Sequence, residues 1–156
     1  MIEKDALSMG SNMRSDSLLK FKKLDPSANI FHPIMDGDVG YDFLAIHEVV
    51  VKARGSAMVK TGLQLEIPED YWGVIRTRSG YGVKNDVQML HGTIDSSFRG
   101  AIIVKVYNHG AKNFKIRKGD RIAQLVILPK VVLPLKEVEE LTKTDRGSKG
   151  LGSTGR

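Results

Sequence analysis

Sixteen glycines punctuate this chain, and the apolar residues between them fall in short runs of strand character. Glycine turns at that density suit many tight turns and fit a helical bundle poorly. Leu63, Leu65 and Ile67 alternate with polar neighbours and stop at Pro68, the pattern of a half-buried strand. Ala101 to Tyr107 and Ile122 to Leu128 are rich in β-branched residues and follow the turn signals Arg99-Gly100 and Lys118-Gly119-Asp120. Val49 to Val51 and Val131 to Leu135 add two further strand candidates, and the one helical prospect is a short turn after Ser79. Many short strands with frequent turns predict an all-β barrel or sandwich with at most one short helix.

A length of 156 residues fits one domain with a real core. Residues 1–20 show no sustained period and are expected to form a flexible arm. Residues 21–142 carry the strand pattern, and 143–156 form a Gly-rich tail expected to be mobile. The absence of cysteine excludes a disulfide framework, a Cys-ligated zinc site and a thiol nucleophile. No apolar run approaches the roughly 18 residues of a membrane span. The first residues lack the apolar core of a secretory signal, and Glu3, Asp5 and Asp16 do not suit a transit peptide. The expectation is a soluble, intracellular, cytoplasmic protein.

The formal charge of +6 is unevenly placed. Residues 1–24 contribute +2, residues 25–142 only +1, and the last fourteen residues +3. A duplex-binding domain would spread its basic residues over a folded face, so no direct nucleic-acid binding is expected. A short basic Gly-rich tail suits either a small polyanion or a plain solvated end.

Five short segments concentrate the chemistry. In Gly40-Tyr41-Asp42 the carboxylate either caps a turn or orients a hydrated Mg²⁺, which takes one or two carboxylates plus phosphate oxygens. Arg76-Thr77-Arg78-Ser79-Gly80 can present a guanidinium, a hydroxyl and a backbone N–H to one anion. In Gly92-Thr93-Ile94-Asp95-Ser96-Ser97-Phe98-Arg99-Gly100, Asp95 is either a hairpin turn former or a working carboxylate beside backbone groups that read a flat base. In Gly119-Asp120-Arg121-Ile122-Ala123-Gln124-Leu125, Asp120 and Arg121 suit a structural turn, whereas the Gln124 amide in an apolar run needs a partner. The fifth, from Asp145 to Arg156, sets Ser153 and Thr154 among glycines that expose N–H donors, without the Gly-Lys-Ser/Thr ending of a P-loop. No zinc-protease or nucleophile-elbow pattern occurs, and His32, His47, His91 and His109 show no ligand spacing.

Taken in order, these segments resemble the five motifs of the trimeric dUTPase family, from about Lys20 to Arg156. The most specific parts are Gly119-Asp120-Arg121-Ile122-Ala123-Gln124-Leu125 and the Arg-Gly-Ser-x-Gly-x-Gly-Ser-Thr-Gly tail. The resemblance implies a distorted jelly-roll β-barrel and a homotrimer whose active sites lie at subunit interfaces. It implies hydrolysis of dUTP to dUMP and pyrophosphate, which limits uracil in DNA and supplies dUMP for dTMP synthesis. Asp95 would take a proton from the water that attacks the α-phosphorus. Mg²⁺, held mainly by the substrate phosphates, would meet Asp42 through water. Arg78, Ser79, Gly80 and Gln124 would grip the phosphates. Backbone groups around Gly92, Thr93, Ile94 and Ile103 would read uracil, and Phe98 would pack on the deoxyribose. Arg146, Leu151, Gly152, Ser153 and Thr154 would close over the substrate from the tail.

Three positions depart from the family pattern. Phe98 replaces a usual Tyr, Ser97 a usual acid, and Leu151 a usual aromatic that stacks on uracil, an interaction worth roughly 1–3 kcal/mol in comparable settings. Two alternatives stand beside the hydrolase. The related dCTP deaminases carry a Glu about ten residues beyond the hairpin Asp, where this chain has Lys105, a residue that cannot act as that carboxylate. A dUTPase-like binding or regulatory module would keep the site while acting chiefly on a partner.

Overall fold

The computed structural model describes residues 17–33 and 35–148. Among these, twelve strands and one helix follow one another as β1 (Lys20–Lys23), β2 (Ile30–Phe31), β3 (Gly40–Leu44), β4 (Val49–Val51), β5 (Ser56–Lys60), β6 (Leu63–Glu66), β7 (Tyr71–Thr77), α1 (Ser79–Asn85), β8 (Val87–Met89), β9 (Thr93–Ile94), β10 (Ile103–Asn108), β11 (Phe114–Ile116) and β12 (Arg121–Pro129). All pairings are antiparallel: β2-β3-β12-β7-β9 form a five-stranded sheet, β5-β10-β8 a three-stranded one, and β1-β6 and β11-β4 two ribbons. Lys20, at the end of the expected arm, already pairs with Glu66 in β1.

The alternation read from the sequence is the alternation of burial. In β6 Leu63 and Leu65 point inward, and in β10 Val104, Val106 and Asn108 do so while Ile103 and Lys105 face out. These side chains join Phe43, Met89, Ile116, Ile122 and Leu125 in one core to which every sheet contributes. Two buried polar side chains are fully engaged rather than left to destabilise that core. Thr61 Oγ1 donates to the Ile102 carbonyl at 2.8 Å. Asn108 Nδ2 donates to the carbonyls of Val51 and Lys112, and its Oδ1 accepts from Gly110 N–H.

Two expectations need correction. Val131 to Leu135 form no strand: β12 ends at Pro129, and Val131, Val132, Leu133 and Leu135 are 76–100% exposed. The apolar pattern is there, but none of the described residues offers this segment a ladder or a core to cover. Arg121, expected as half of a structural turn pair, instead starts β12, where a register shift between Arg121 and Ala123 turns it toward β3. Asp120 does serve the turn, accepting Arg117 N–H at 2.8 Å. No helix among the described residues is long and apolar enough to cross a membrane.

Candidate active site

β12 is the strand on which the site is built. Its register sets Gln124 directly opposite Asp42 of β3 on one side and Arg76 of β7 on the other. The Gln124 amide finds the partner its position demands, donating from Nε2 to the Thr77 carbonyl at 3.3 Å. Gly40 is needed beside it, because a Cβ at that position would collide with Gln124 Oε1.

Asp42 is buried, and two guanidiniums converge on it. Arg78 Nε lies 2.8 Å from Oδ1, and Arg121 Nη1 lies 3.4 Å from Oδ2. Arg78 also donates from Nη1 to the Arg121 carbonyl at 3.4 Å, while Arg121 stacks its guanidinium 4.9 Å over the Phe31 ring. The pair is held on several sides, so the Arg78 side chain is fixed before any ligand arrives. Such an arrangement favours anion recognition, since little side-chain freedom is left to lose on binding.

At Arg78 the chain turns from β7 into α1. Tyr81 and Gly82 both donate their N–H groups to the Arg78 carbonyl, at 3.1 and 2.9 Å. The result is a cavity of about 580 Å³ lined by Asp42, Arg78, Ser79, Gly80 and Gln124, five of the expected site residues. A Cβ at Gly80 would meet nothing within 4 Å. The chain's own packing thus gives no reason for glycine there, and the space it leaves open belongs to the cavity.

Other residues line the same cavity that the sequence did not single out. His32 and Asp38 come from the loop before β3, and Tyr81 and Lys84 from α1. Lys84 stands four residues after Gly80, a helical spacing that could have pointed to it once α1 was extended past its first turn. Tyr81 packs edge-on against Phe114 with ring centroids 5.4 Å apart. Its hydroxyl is buried with no hydrogen-bond partner among the described residues. Burial, with Asp120 adding to it and Arg78 opposing, pushes the Tyr81 phenol up to about 12.

The Asp95 hairpin lies elsewhere. β9 pairs with β7 so that Ile94 faces Gly73 and Thr93 faces Val74, which sets Asp95 opposite Trp72. From Trp72 to Arg78 is about 20 Å along an extended strand at ~3.3 Å per residue. Asp95 is exposed and lines a second, shallower cleft of about 470 Å³ with Trp72, Thr93, Ser96, Ser97 and Val132. Phe98 N–H donates to the Asp95 carbonyl at 3.0 Å, closing a turn that Arg99 Nη1 braces through the carbonyls of Ser96 and Phe98 at 2.6 and 2.8 Å. The Phe98 ring lies on Gly100, where any Cβ would meet the ring at 2.5 Å, and it stays 43% exposed.

The remaining expected residues divide three ways. Ile94 turns its side chain into the core, so only its backbone can meet a ligand. The Gly92 carbonyl already accepts Ile75 N–H at 2.9 Å, and Ile103 stands on the outer face of β10. Arg146 is exposed, next to a turn in which Gly147 N–H donates to the Thr144 carbonyl at 3.0 Å. Leu151, Gly152, Ser153 and Thr154 lie outside the described residues. Lys105, at the place of the deaminase carboxylate, sits 5.4 Å over the Tyr107 ring. One chain thus gathers an anion pocket and, well apart from it, a carboxylate hairpin.

The dUTPase family model matches residues 26–155. The deoxyuridine 5'-triphosphate nucleotidohydrolase of Clostridium acetobutylicum is 41% identical over 139 residues, covering 88% of this chain and 96% of its own. The dUTPase of Staphylococcus bacteriophage 80alpha, solved with dUpNHpp, superimposes with a TM-score of 0.84 at 30% identity, over 89% of this chain and 99% of that one. A D95N mutant of the dUTPase from phage phi11 of S. aureus, whose structure shows the coordination of a structural Mg(II) ion, superimposes with a TM-score of 0.74 at 27% identity, over 79% and 97%. The all-β architecture is the distorted jelly-roll barrel of these proteins. With the match running through the Arg78 pocket and the Asp95 hairpin and on into the Gly-rich C-terminal segment, the chain belongs to the dUTPase family.

Proposed function

We infer that this protein hydrolyses dUTP to dUMP and pyrophosphate. The observation that carries the inference is the fixed Arg78 guanidinium in a cavity shared with Asp42, Ser79, Gly80 and Gln124, in a chain of the dUTPase family. Arg78, the backbone at Ser79 and Gly80, and Gln124 hold the triphosphate. Asp95 accepts a proton from water as its oxygen bonds to the α-phosphorus. The bond from that phosphorus to the bridging oxygen breaks, and the oxygen leaves with pyrophosphate. Thr93 and Ile94 offer backbone groups to uracil, and Phe98 covers the sugar. The tail residues Arg146, Leu151, Gly152, Ser153 and Thr154 complete the enclosure.

The residues present fit Mg²⁺ brought in by the substrate. No group of three or more His, Asp or Glu among the described residues could hold a metal alone. Asp42 shares the phosphate-gripping rim with Arg78 and Gln124, and Mg²⁺ commonly takes one or two carboxylates with phosphate and water. Asp42 would hold it through water, and the ion would offset charge on the departing pyrophosphate.

The separation of about 20 Å along β7 supports a homotrimer with composite sites. The Asp95 hairpin of one subunit would face the Arg78 pocket of another, and the exposed residues 130–148 would carry the tail onto a neighbour. The deciding experiment incubates the purified protein with dUTP, UTP, dTTP or dCTP and Mg²⁺, and follows pyrophosphate and ammonia. Pyrophosphate from dUTP, in step with dUMP and without ammonia from any substrate, is the expected result. Ammonia from dCTP, or equal kcat/KM for dUTP, UTP and dTTP, overturns the assignment.

A further inference from the structure

Arg78 alone is poorly supplied for the charge of a triphosphate, because its Nε is already committed to Asp42 at 2.8 Å. The charged residues lining its cavity are Arg78 and Lys84 against Asp38 and Asp42, so the lining is neutral overall and would be negative without Lys84. Lys84 is exposed, and no hydrogen bond or ion pair engages its ammonium among the described residues. α1 spans Ser79–Asn85 and buries none of its residues. Lys84 follows Gly80 by one helical turn, which returns its side chain to the face that borders the cavity.

We propose that Lys84 is a further substrate-binding residue, the mobile cation that meets the triphosphate chain beside Arg78, Ser79 and Gly80. This rests on the assignment of that cavity to the phosphates of dUTP. Arg78 and Asp42, braced by Arg121, form a fixed frame in which the carboxylate offsets the Arg78 charge. Lys84, at the end of a flexible stem, adds a point charge that follows the ligand. A purely structural role is the other use for a lysine in the last turn of a helix, where it meets the partial negative charge of that end. The two roles differ in what they move. Helix stabilisation changes the melting temperature, whereas a phosphate contact changes affinity according to how much phosphate the ligand carries.

The test compares wild type, Lys84→Met and Lys84→Arg by calorimetric binding of dUpNHpp with Mg²⁺ and of dUMP. Wild type must bind dUpNHpp more tightly than dUMP. If it does not, the assignment of the cavity to the triphosphate fails, whatever the variants do. Given that preference, Lys84→Met is expected to weaken dUpNHpp about tenfold and dUMP less than threefold, with Lys84→Arg recovering most of the loss. The salt dependence of dUpNHpp affinity should also be shallower in Lys84→Met. The role is overturned if Lys84→Met binds dUpNHpp within twofold of wild type. It is also overturned if both ligands weaken equally, or if only the melting temperature falls.

Discussion

Asp95 stands exposed at the head of a turn that its own carbonyl closes with Phe98 N–H. A neutral amide can occupy the same place without disturbing that turn. Asp95→Asn is therefore expected to keep its melting temperature and its affinity for dUpNHpp while losing turnover by ~10²–10⁴-fold, the usual cost of removing a general base. Pyrophosphate release near the wild-type rate would remove Asp95 from the chemistry. Tyr81 is a different case, because its buried hydroxyl lacks a partner among the described residues. Losing that group relieves an uncompensated desolvation, so Tyr81→Phe is expected to melt about 2 °C or more above wild type at pH 7. The phenol is pushed from 10.0 up to about 12, chiefly by burial. Its neutral form is favoured in the folded state, and that contribution is complete below pH 10 and is lost as pH rises toward 12. Denaturant titrations should then show wild type losing stability relative to Tyr81→Phe across that interval. Parallel curves would mean that the hydroxyl is solvated or paired. Much of the site could be read from the sequence at this scale, since Asp42, Arg78, Ser79 and Gln124 are polar residues set beside glycines or inside apolar runs. Arg121 could not, because its role depends on a register shift in β12 that places it against Asp42.

Single strands reveal themselves where one face is buried and the other is not. β6 and β10 alternate in burial and were legible from sequence, as was β12 from its β-branched run. β7 was not: Trp72, Gly73, Val74 and Ile75 show no period of two, and three successive residues, Gly73, Val74 and Ile75, are buried, so neither face reads as solvent-facing. Val131 to Leu135 fail in the opposite direction. Their pattern is that of a strand, but a local pattern carries no information about whether the pairing partner is in the same chain. Every described residue from 129 to 148 is exposed, so this whole element contributes little to the isolated barrel. The tail beyond it has no periodic apolar residues with which to offset its ordering entropy. Truncation after Asp145 is therefore expected to leave melting temperature and oligomer mass nearly unchanged while lowering kcat/KM for dUTP at least tenfold. Full activity in the truncated protein would reduce the tail to a solvated end.

In the whole molecule, Asp95 and the Arg78 pocket lie toward opposite ends of β7, about 20 Å apart along an extended strand, too far for both to serve one phosphate within a chain as the proposed mechanism requires. Asp95 is opposite Trp72, at one end of β7, while Arg78 follows Thr77 at the other. β7 is paired along its length with β12, so the separation cannot close by bending without breaking the central sheet. In the proposed mechanism, assembly brings Asp95 to the α-phosphorus of a triphosphate held by Arg78 of another chain, and a cyclic trimer would make three such contacts by repeating one heterologous interface. This makes a prediction that separates a composite site from a single-chain one. Asp95→Asn and Arg78→Gln should each be nearly inactive as homotrimers. When the two are co-expressed with different tags and isolated as mixed trimers, some interfaces pair the intact Asp95 of one chain with the intact Arg78 of the other. Every mixed trimer has one of its three interfaces intact on both sides, so the isolated mixed trimers should recover to about a third of wild-type activity. Mixing the preformed homotrimers without exchange should recover none, which controls for contamination. A site built within one chain has no intact copy in any mixed trimer, and co-expression would then leave activity at the level of the single variants.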